Sequence, residues 1–78
     1  MSMFVVGHGI NSRAAFTNEE AANNYADKLG PINVNGTNVQ ATVLEVPEGE
    51  YIIDKCSDAY PNGIFHHKKW NMQAEVLE

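Results

Sequence analysis

The stretch TNEEAANNYADKLGP constrains the fold more than any other, because it predicts one helix together with both of its ends. Thr17 is an N-cap candidate and Glu20 follows three residues later, which is the capping-box spacing. Apolar residues recur on one helical face at Ala22, Tyr25, Ala26 and Leu29. Gly30 suits the left-handed position after a helix, and Pro31 prevents its continuation. The sequence therefore predicts a helix over residues 18–29.

The rest of the chain favours β-strands. The dipeptide Asn35-Gly36 is a strong signal for a tight hairpin. Runs rich in β-branched and aromatic residues, some of them alternating with polar ones, indicate the strands. Strands are expected at residues 3–8, 13–16, 39–44, 51–55 and 64–72, and residues 73–78 are expected to form a strand end or a short helix.

One helix among several strands predicts an α+β fold. Strands that follow one another through tight turns pair antiparallel, so we expect an antiparallel sheet of about three to five strands in the order β-(β)-α-β-β-(β). A single helix covers one face of a sheet, which gives two layers. The whole chain, residues 1–78, is expected to be one domain. The second face of the sheet is expected to meet solvent, a partner or a second copy.

Composition limits the compartment and the partners. Cys56 is the single cysteine, so no disulfide within the chain is expected, which favours a reducing compartment. The N-terminal stretch MSMFVVGHGI lacks the basic region of a signal peptide. No apolar run approaches the roughly 20 residues that span a bilayer. These features predict a cytoplasmic protein that makes no membrane contact.

The stretch GIFHHKKW raises the question of a metal or catalytic site. His66 and His67 are adjacent, and adjacent side chains of a strand point to opposite faces, so they are not expected to bind one ion. The remaining donors, His8 and Cys56, do not supply the closely spaced pairs of a structural zinc site. Cys56 is interpreted as a small core residue rather than a nucleophile. No metal, cofactor or enzymatic activity is expected.

The same stretch also mixes aromatic and basic residues, as single-strand binders do. A net charge of −5 opposes binding to a phosphate backbone, and a strand would place Lys68 and Lys69 on opposite faces. Nucleic-acid binding is therefore disfavoured, and a protein-binding surface is favoured. Alternation over residues 64–72 places five candidate binding residues on one face: Ile64, His66, Lys68, Trp70 and Met72. Tryptophan is enriched at binding hot spots, although a lone tryptophan can also fill the core of a small domain.

The first thirty residues carry a resemblance. The pattern consists of Val5-Val6, Phe16-Thr17, Glu19-Glu20-Ala21, Tyr25-Ala26 and Leu29. It resembles the start of small bacteriophage and prophage accessory proteins of unknown function. The resemblance implies a phage protein in the cytoplasm of a bacterial host that binds a host enzyme or defence complex, as anti-CRISPR proteins do. It assigns no functional residues.

The leading hypothesis is therefore a non-enzymatic protein that binds and inhibits a host protein or defence complex. Two alternatives remain open. A chain of this length buries only ~60–65% of its unfolded surface, and self-association often compensates, so a structural homodimer is the first alternative. A small nucleic-acid-binding protein is the second.

Overall fold

The computed structural model describes residues 1–9, 11–55 and 58–77, and it confirms the α+β class. The predicted role of Cys56 in the core lies outside these residues. The elements are β1 Met3–His8, β2 Asn11–Phe16, α1 Glu19–Leu29, β3 Ile32–Val34, β4 Thr37–Val39, β5 Ala41–Val46, β6 Tyr51–Asp54, β7 Ile64–His67 and β8 Gln73–Val76. The predicted helix and the five predicted strand regions all contain an element of the expected type. The segment expected as a strand end or short helix contains the strand β8.

The helix starts one residue later than the capping box predicts. Asn18, not Thr17, is the N-cap, and its Oδ1 accepts a hydrogen bond of 3.0 Å from the N–H of Ala21. Asparagine caps a helix at least as well as threonine, so the capping-box spacing did not decide the boundary. The predicted end is confirmed. Gly30 has a φ of 63°, and its N–H donates to the carbonyl of Ala26.

The predicted hairpin is confirmed as a separate two-stranded sheet of β3 and β4. Asn35 and Gly36 both have positive φ, at 52° and 83°, which is typical of the type I′ turn. The side chain of Asn33 accepts a hydrogen bond of 3.0 Å from the N–H of Gly36. Local chemistry alone therefore determines this element.

The main sheet has six strands in the order β5-β1-β2-β8-β7-β6. It is mixed, because β2 and β8 pair in parallel through Ala14↔Glu75 and Ala15↔Val76. The prediction of a purely antiparallel sheet of three to five strands was therefore wrong. Tight turns fix the direction only of strands that are adjacent in the chain, whereas β8 returns to β2 from far along the sequence.

Each face of this sheet packs against its own core. The helix side buries Val6, Ala14, Phe16 and Ala22 between the sheet and α1. The other face buries a second cluster made of Met3, Val5, Ala15, Val46, Phe65, Ala74 and Val76. Val46 lies on one edge strand of the sheet, and residues of the other edge strand, Tyr51 and Ile53, pack against the same cluster. The sheet is therefore curled around this inner core.

This curl corrects the expectation of an open second face. A sheet of six strands accumulates enough twist for its two edges to approach each other, and it can then cover its own face. The uncovered area is instead the outer face of β8, β7 and β6, because α1 packs against β1, β2 and β5. Ile64 and His66 lie on this outer face, half-buried, beside the exposed Ile52.

The described part of the chain contains no helix long and apolar enough to cross a bilayer. Its helix α1 has 11 residues, whereas a transmembrane helix needs about 20.

Candidate protein-binding surface

The strand predicted over residues 64–72 ends at His67, which changes the position of everything after it. The chain then turns through residues 68–71 and returns as β8. The N–H of His67 donates to the carbonyl of Met72 at 3.0 Å, and the N–H of Met72 donates to the carbonyl of Trp70 at 2.8 Å. Strand alternation therefore does not set the direction of Trp70, and the prediction of one continuous strand face was wrong.

The side chain of His67 stabilises this loop. It is buried, and Nδ1 accepts hydrogen bonds of 3.1 Å from the N–H groups of both Lys69 and Trp70. An imidazole nitrogen that accepts a hydrogen bond carries no hydrogen itself, so this geometry places the ring N–H on Nε2. A buried acceptor thus satisfies two backbone donors of a tight turn, which stabilises the loop conformation.

Trp70 stacks on the same imidazole. The two ring centroids are 4.5 Å apart and the planes differ by 8°. Trp70 is nevertheless 57% exposed. Of the two roles that the sequence left open, core residue and interface residue, the core is therefore ruled out. An aromatic side chain that is oriented by stacking but remains exposed loses little conformational entropy when a partner covers it.

An apolar hollow of about 340 Å³ opens beside Trp70. Its walls are Gly9, Leu44, Trp70, Asn71 and Met72. Leu44 pairs with Val5, a residue of the inner core, and Met72 packs against that core. The hollow is therefore the place where the inner core of the curled sheet reaches the surface.

A polar hollow of about 420 Å³ adjoins the apolar one. Its walls are Asn11, Ser12, Arg13, Asn71, Met72 and Gln73. The parallel ladder of β2 and β8 covers only Ala14↔Glu75 and Ala15↔Val76. Before these pairs the two strands are not paired with each other, and residues 11–13 and 71–73 line the hollow between them. Asn71 and Met72 belong to both hollows. We call the two hollows together the rim surface.

The structure divides the five candidate binding residues between two places. Trp70 and Met72 line the apolar hollow, and Lys68 is exposed in the same loop. Ile64 and His66 lie on the outer face of β7 instead, where Nε2 of His66 is 4.0 Å from a carboxylate oxygen of Asp54. His66 and His67 point to opposite faces of β7, as expected. His67 is the one that faces the inside of the sheet, whereas the sequence favoured the face that carries His66.

Sequence reasoning missed Leu44 and Arg13 as members of the surface. A signal for Leu44 was present in the alternation of residues 39–44. Leu44 is apolar, but it falls on the same strand face as the polar residues Gln40 and Thr42. An apolar side chain at such a position indicates contact with something other than the helix-side core. Arg13 had no comparable signal, since the gap beside it depends on a distant strand.

His8 is a second buried histidine, on the helix side of the sheet. It is 3% exposed, and its Nε2–H donates to the carbonyl of Gly30 at 2.7 Å, which fastens the end of α1 to the end of β1. Its Nδ1 has no hydrogen-bond partner among the described residues. Within the described ranges, no three His, Cys, Asp or Glu side chains come together as metal ligands.

Comparisons with protein-family models, with curated proteins and with solved structures find no match for this chain. Function is therefore inferred from the rim surface itself. This surface combines an exposed, oriented indole, an apolar hollow and a polar hollow that contains a guanidinium. Such a combination is suited to binding a partner that has both apolar and polar groups.

Proposed function

We propose that this protein is a non-enzymatic binding protein and that it recognises another protein through the rim surface. The observation that carries the proposal is the state of Trp70, which is stacked on His67 and yet 57% exposed. A tryptophan fixed in this way is a ready anchor for a partner, and tryptophan is among the residues most enriched at binding hot spots.

The surroundings of Trp70 support the same proposal. Leu44 is 39% exposed and faces the same hollow, and Met72 forms another wall. Single exposed apolar side chains are ordinary, but adjacent ones that form a concave patch mark an interaction site more often. The methionine adds an adaptable apolar contact, because its unbranched side chain adopts several shapes.

The target class follows from the resemblance of the first thirty residues to phage accessory proteins. We propose a host bacterial protein or defence complex as the partner, and inhibition by occupation of its surface as the mechanism. The inhibitor needs no chemistry of its own in this mechanism, only an interface stable enough to compete with the normal ligand of the target.

A structural homodimer is the second candidate, and the exposed side chain of Ile52 favours it. Ile52 is 53% exposed on β6, an edge strand that pairs with β7 on one side. An edge strand with an exposed apolar residue can pair with a second copy. This candidate uses the β6 edge of the sheet and the outer face beside it, whereas the leading one uses the rim surface.

The two candidates are separated by a pair of matched variants. Trp70→Ala and Ile52→Ala each remove an apolar side chain of similar exposure, 57% and 53%, from different surfaces. We expect Trp70→Ala to abolish capture of the target from a host lysate and Ile52→Ala to leave it unchanged, with both variants folded by circular dichroism. Unchanged capture by Trp70→Ala would refute the leading candidate. Loss of a dimer in Ile52→Ala, measured by light scattering, would support the second.

A further inference from the structure

We propose that the rim surface binds an acidic peptide segment, with a large apolar side chain in the apolar hollow and a neighbouring carboxylate in the polar hollow. This inference rests on the proposed function, since it names the chemistry of the partner segment that the rim surface recognises.

The two hollows are placed for neighbouring residues of one ligand. They share Asn71 and Met72 as a common wall, so a ligand that occupies one hollow reaches the other directly. Their volumes of about 340 and 420 Å³ both fall in the ordinary range for ligand pockets. Leu44, Trp70 and Met72 supply apolar contacts in the first, and all but one of the residues that line the second are polar.

The charge of the polar hollow selects an acidic group. Arg13 is exposed, and no ion pair joins its guanidinium to a carboxylate within the described part of the chain. None of the described residues that line either hollow is Asp or Glu, although Glu75 lines an adjoining hollow that Arg13 also borders. Lys68 and Lys69 are exposed in the loop that carries Trp70. Three of the five basic residues thus lie on or beside the rim surface, which favours a ligand that carries negative charge.

A carboxylate is the acidic group that the Arg13 side chain is chemically suited to bind. A guanidinium can bind a carboxylate through two parallel N–H···O hydrogen bonds, and these charge-assisted bonds are stronger than neutral ones. Asn11, Asn71 and Gln73 line the same space, and each carries N–H groups that can donate to further oxygens.

The backbone favours a peptide over other anions. β2 pairs with β1 through Asn11 and Ser12, but it pairs with β8 only from Ala14 onward, so only the β8 side of residues 11–13 is unpaired and faces the polar hollow. An extended peptide can hydrogen-bond to such an unpaired stretch while its side chains enter pockets on either side. A nucleic acid fits less well, because Leu44 and Met72 offer an aliphatic hollow rather than a stack of aromatic platforms.

The test uses Trp70 as its own probe, because it is the single tryptophan of the chain. Three synthetic peptide pools share randomised flanks that lack Trp and Tyr, and they differ in the central tripeptide: Phe-Asp-Glu, the isosteric Phe-Asn-Gln, and Phe-Lys-Lys. Each pool is titrated against the full chain while tryptophan emission is recorded, and a twelve-nucleotide oligothymidine is titrated in parallel. We expect the acidic pool to bind at least tenfold more tightly than the neutral pool and the basic pool to bind weakest.

Two variants with equal loss of charge complete the test. Arg13→Gln should reduce binding of the acidic pool to the level of the neutral pool. Lys28→Gln, in the last turn of α1, should leave the preference intact, because Lys28 lines neither hollow. Equal binding of all pools, equal effects of the two variants, tighter binding of the oligothymidine, or no response to any peptide would each overturn the inference. Any of these results would leave the proposed function standing, provided that target capture still depends on Trp70.

Discussion

The imidazole of His67 and the indole of Trp70 lie face to face, with 4.5 Å between ring centroids and 8° between planes. The same imidazole accepts the N–H groups of Lys69 and Trp70 through Nδ1. One buried side chain therefore fixes both the backbone of the loop and the direction of its exposed aromatic residue. The orientation of Trp70 therefore depends on His67, and substitutions of His67 should change the shape of the rim surface.

Replacement of His67 by Phe tests this dependence. Phenylalanine keeps a flat ring for stacking but removes the acceptor, so two backbone N–H groups lose their partner. We expect the unfolding free energy to fall by about 1–3 kcal/mol and Trp70 to become more accessible to a soluble fluorescence quencher. The control is His66→Phe, one residue earlier on the outer face, which should leave quenching unchanged. Equal quenching in both variants would show that the loop does not need the acceptor.

Phe65 is the fully buried aromatic residue of the inner core. Its replacement by Ala should cost about 3–5 kcal/mol, which is comparable to the entire stability expected of a chain of 8.6 kDa. We therefore expect Phe65→Ala to be largely unfolded at 37 °C. Ile52→Ala, one strand away but exposed, should change stability by less than about 0.5 kcal/mol. Urea denaturation of the two variants measures the difference, and similar midpoints would contradict the curled-sheet core.

The N-cap can be assigned by two adjacent substitutions. Asn18→Ala removes the acceptor of the Ala21 N–H and should lower stability by about 0.5–2 kcal/mol. Thr17→Ala should have little effect, because Thr17 precedes the cap. Thermal unfolding of both variants gives the comparison. A larger loss in Thr17→Ala would restore the capping box indicated by the sequence.

His8 should stabilise the junction between α1 and β1. His8→Ala removes the donor to the carbonyl of Gly30 and leaves a space in a buried position, so we expect a loss of about 1–3 kcal/mol. Hydrogen exchange in the last turn of α1 should quicken more than exchange in β7. An unchanged pattern of exchange would mean that His8 does not hold the end of the helix.

The parts of the fold that sequence reasoning predicted correctly depend on local chemistry. The end of α1 follows from Gly30 and Pro31, and the hairpin follows from Asn35 and Gly36, whose positive φ values few other residues tolerate. These features involve residues within a few positions of one another. Neighbouring residues alone were therefore enough to predict them.

The parts that were predicted incorrectly depend on contacts between distant residues. The parallel pairing of β2 with β8 joins Ala14 to Glu75, and no local signal specifies it. β7 ends where Nδ1 of His67 accepts hydrogen bonds from the backbone N–H groups of Lys69 and Trp70. These hydrogen bonds turn the chain and interrupt the strand alternation that the sequence indicates. The polar hollow lies where that parallel pairing stops, so Arg13 could not be assigned to a site from the sequence.

The most direct test of the central claim is the dissociation constant of the complex between this protein and its captured target, measured for the wild type, Trp70→Ala and Ile52→Ala. If the rim surface is the binding site, Trp70→Ala should weaken the complex by about 30-fold or more, which corresponds to about 2 kcal/mol, and Ile52→Ala should change it by less than about twofold. Equal affinities for the wild type and Trp70→Ala would contradict the claim.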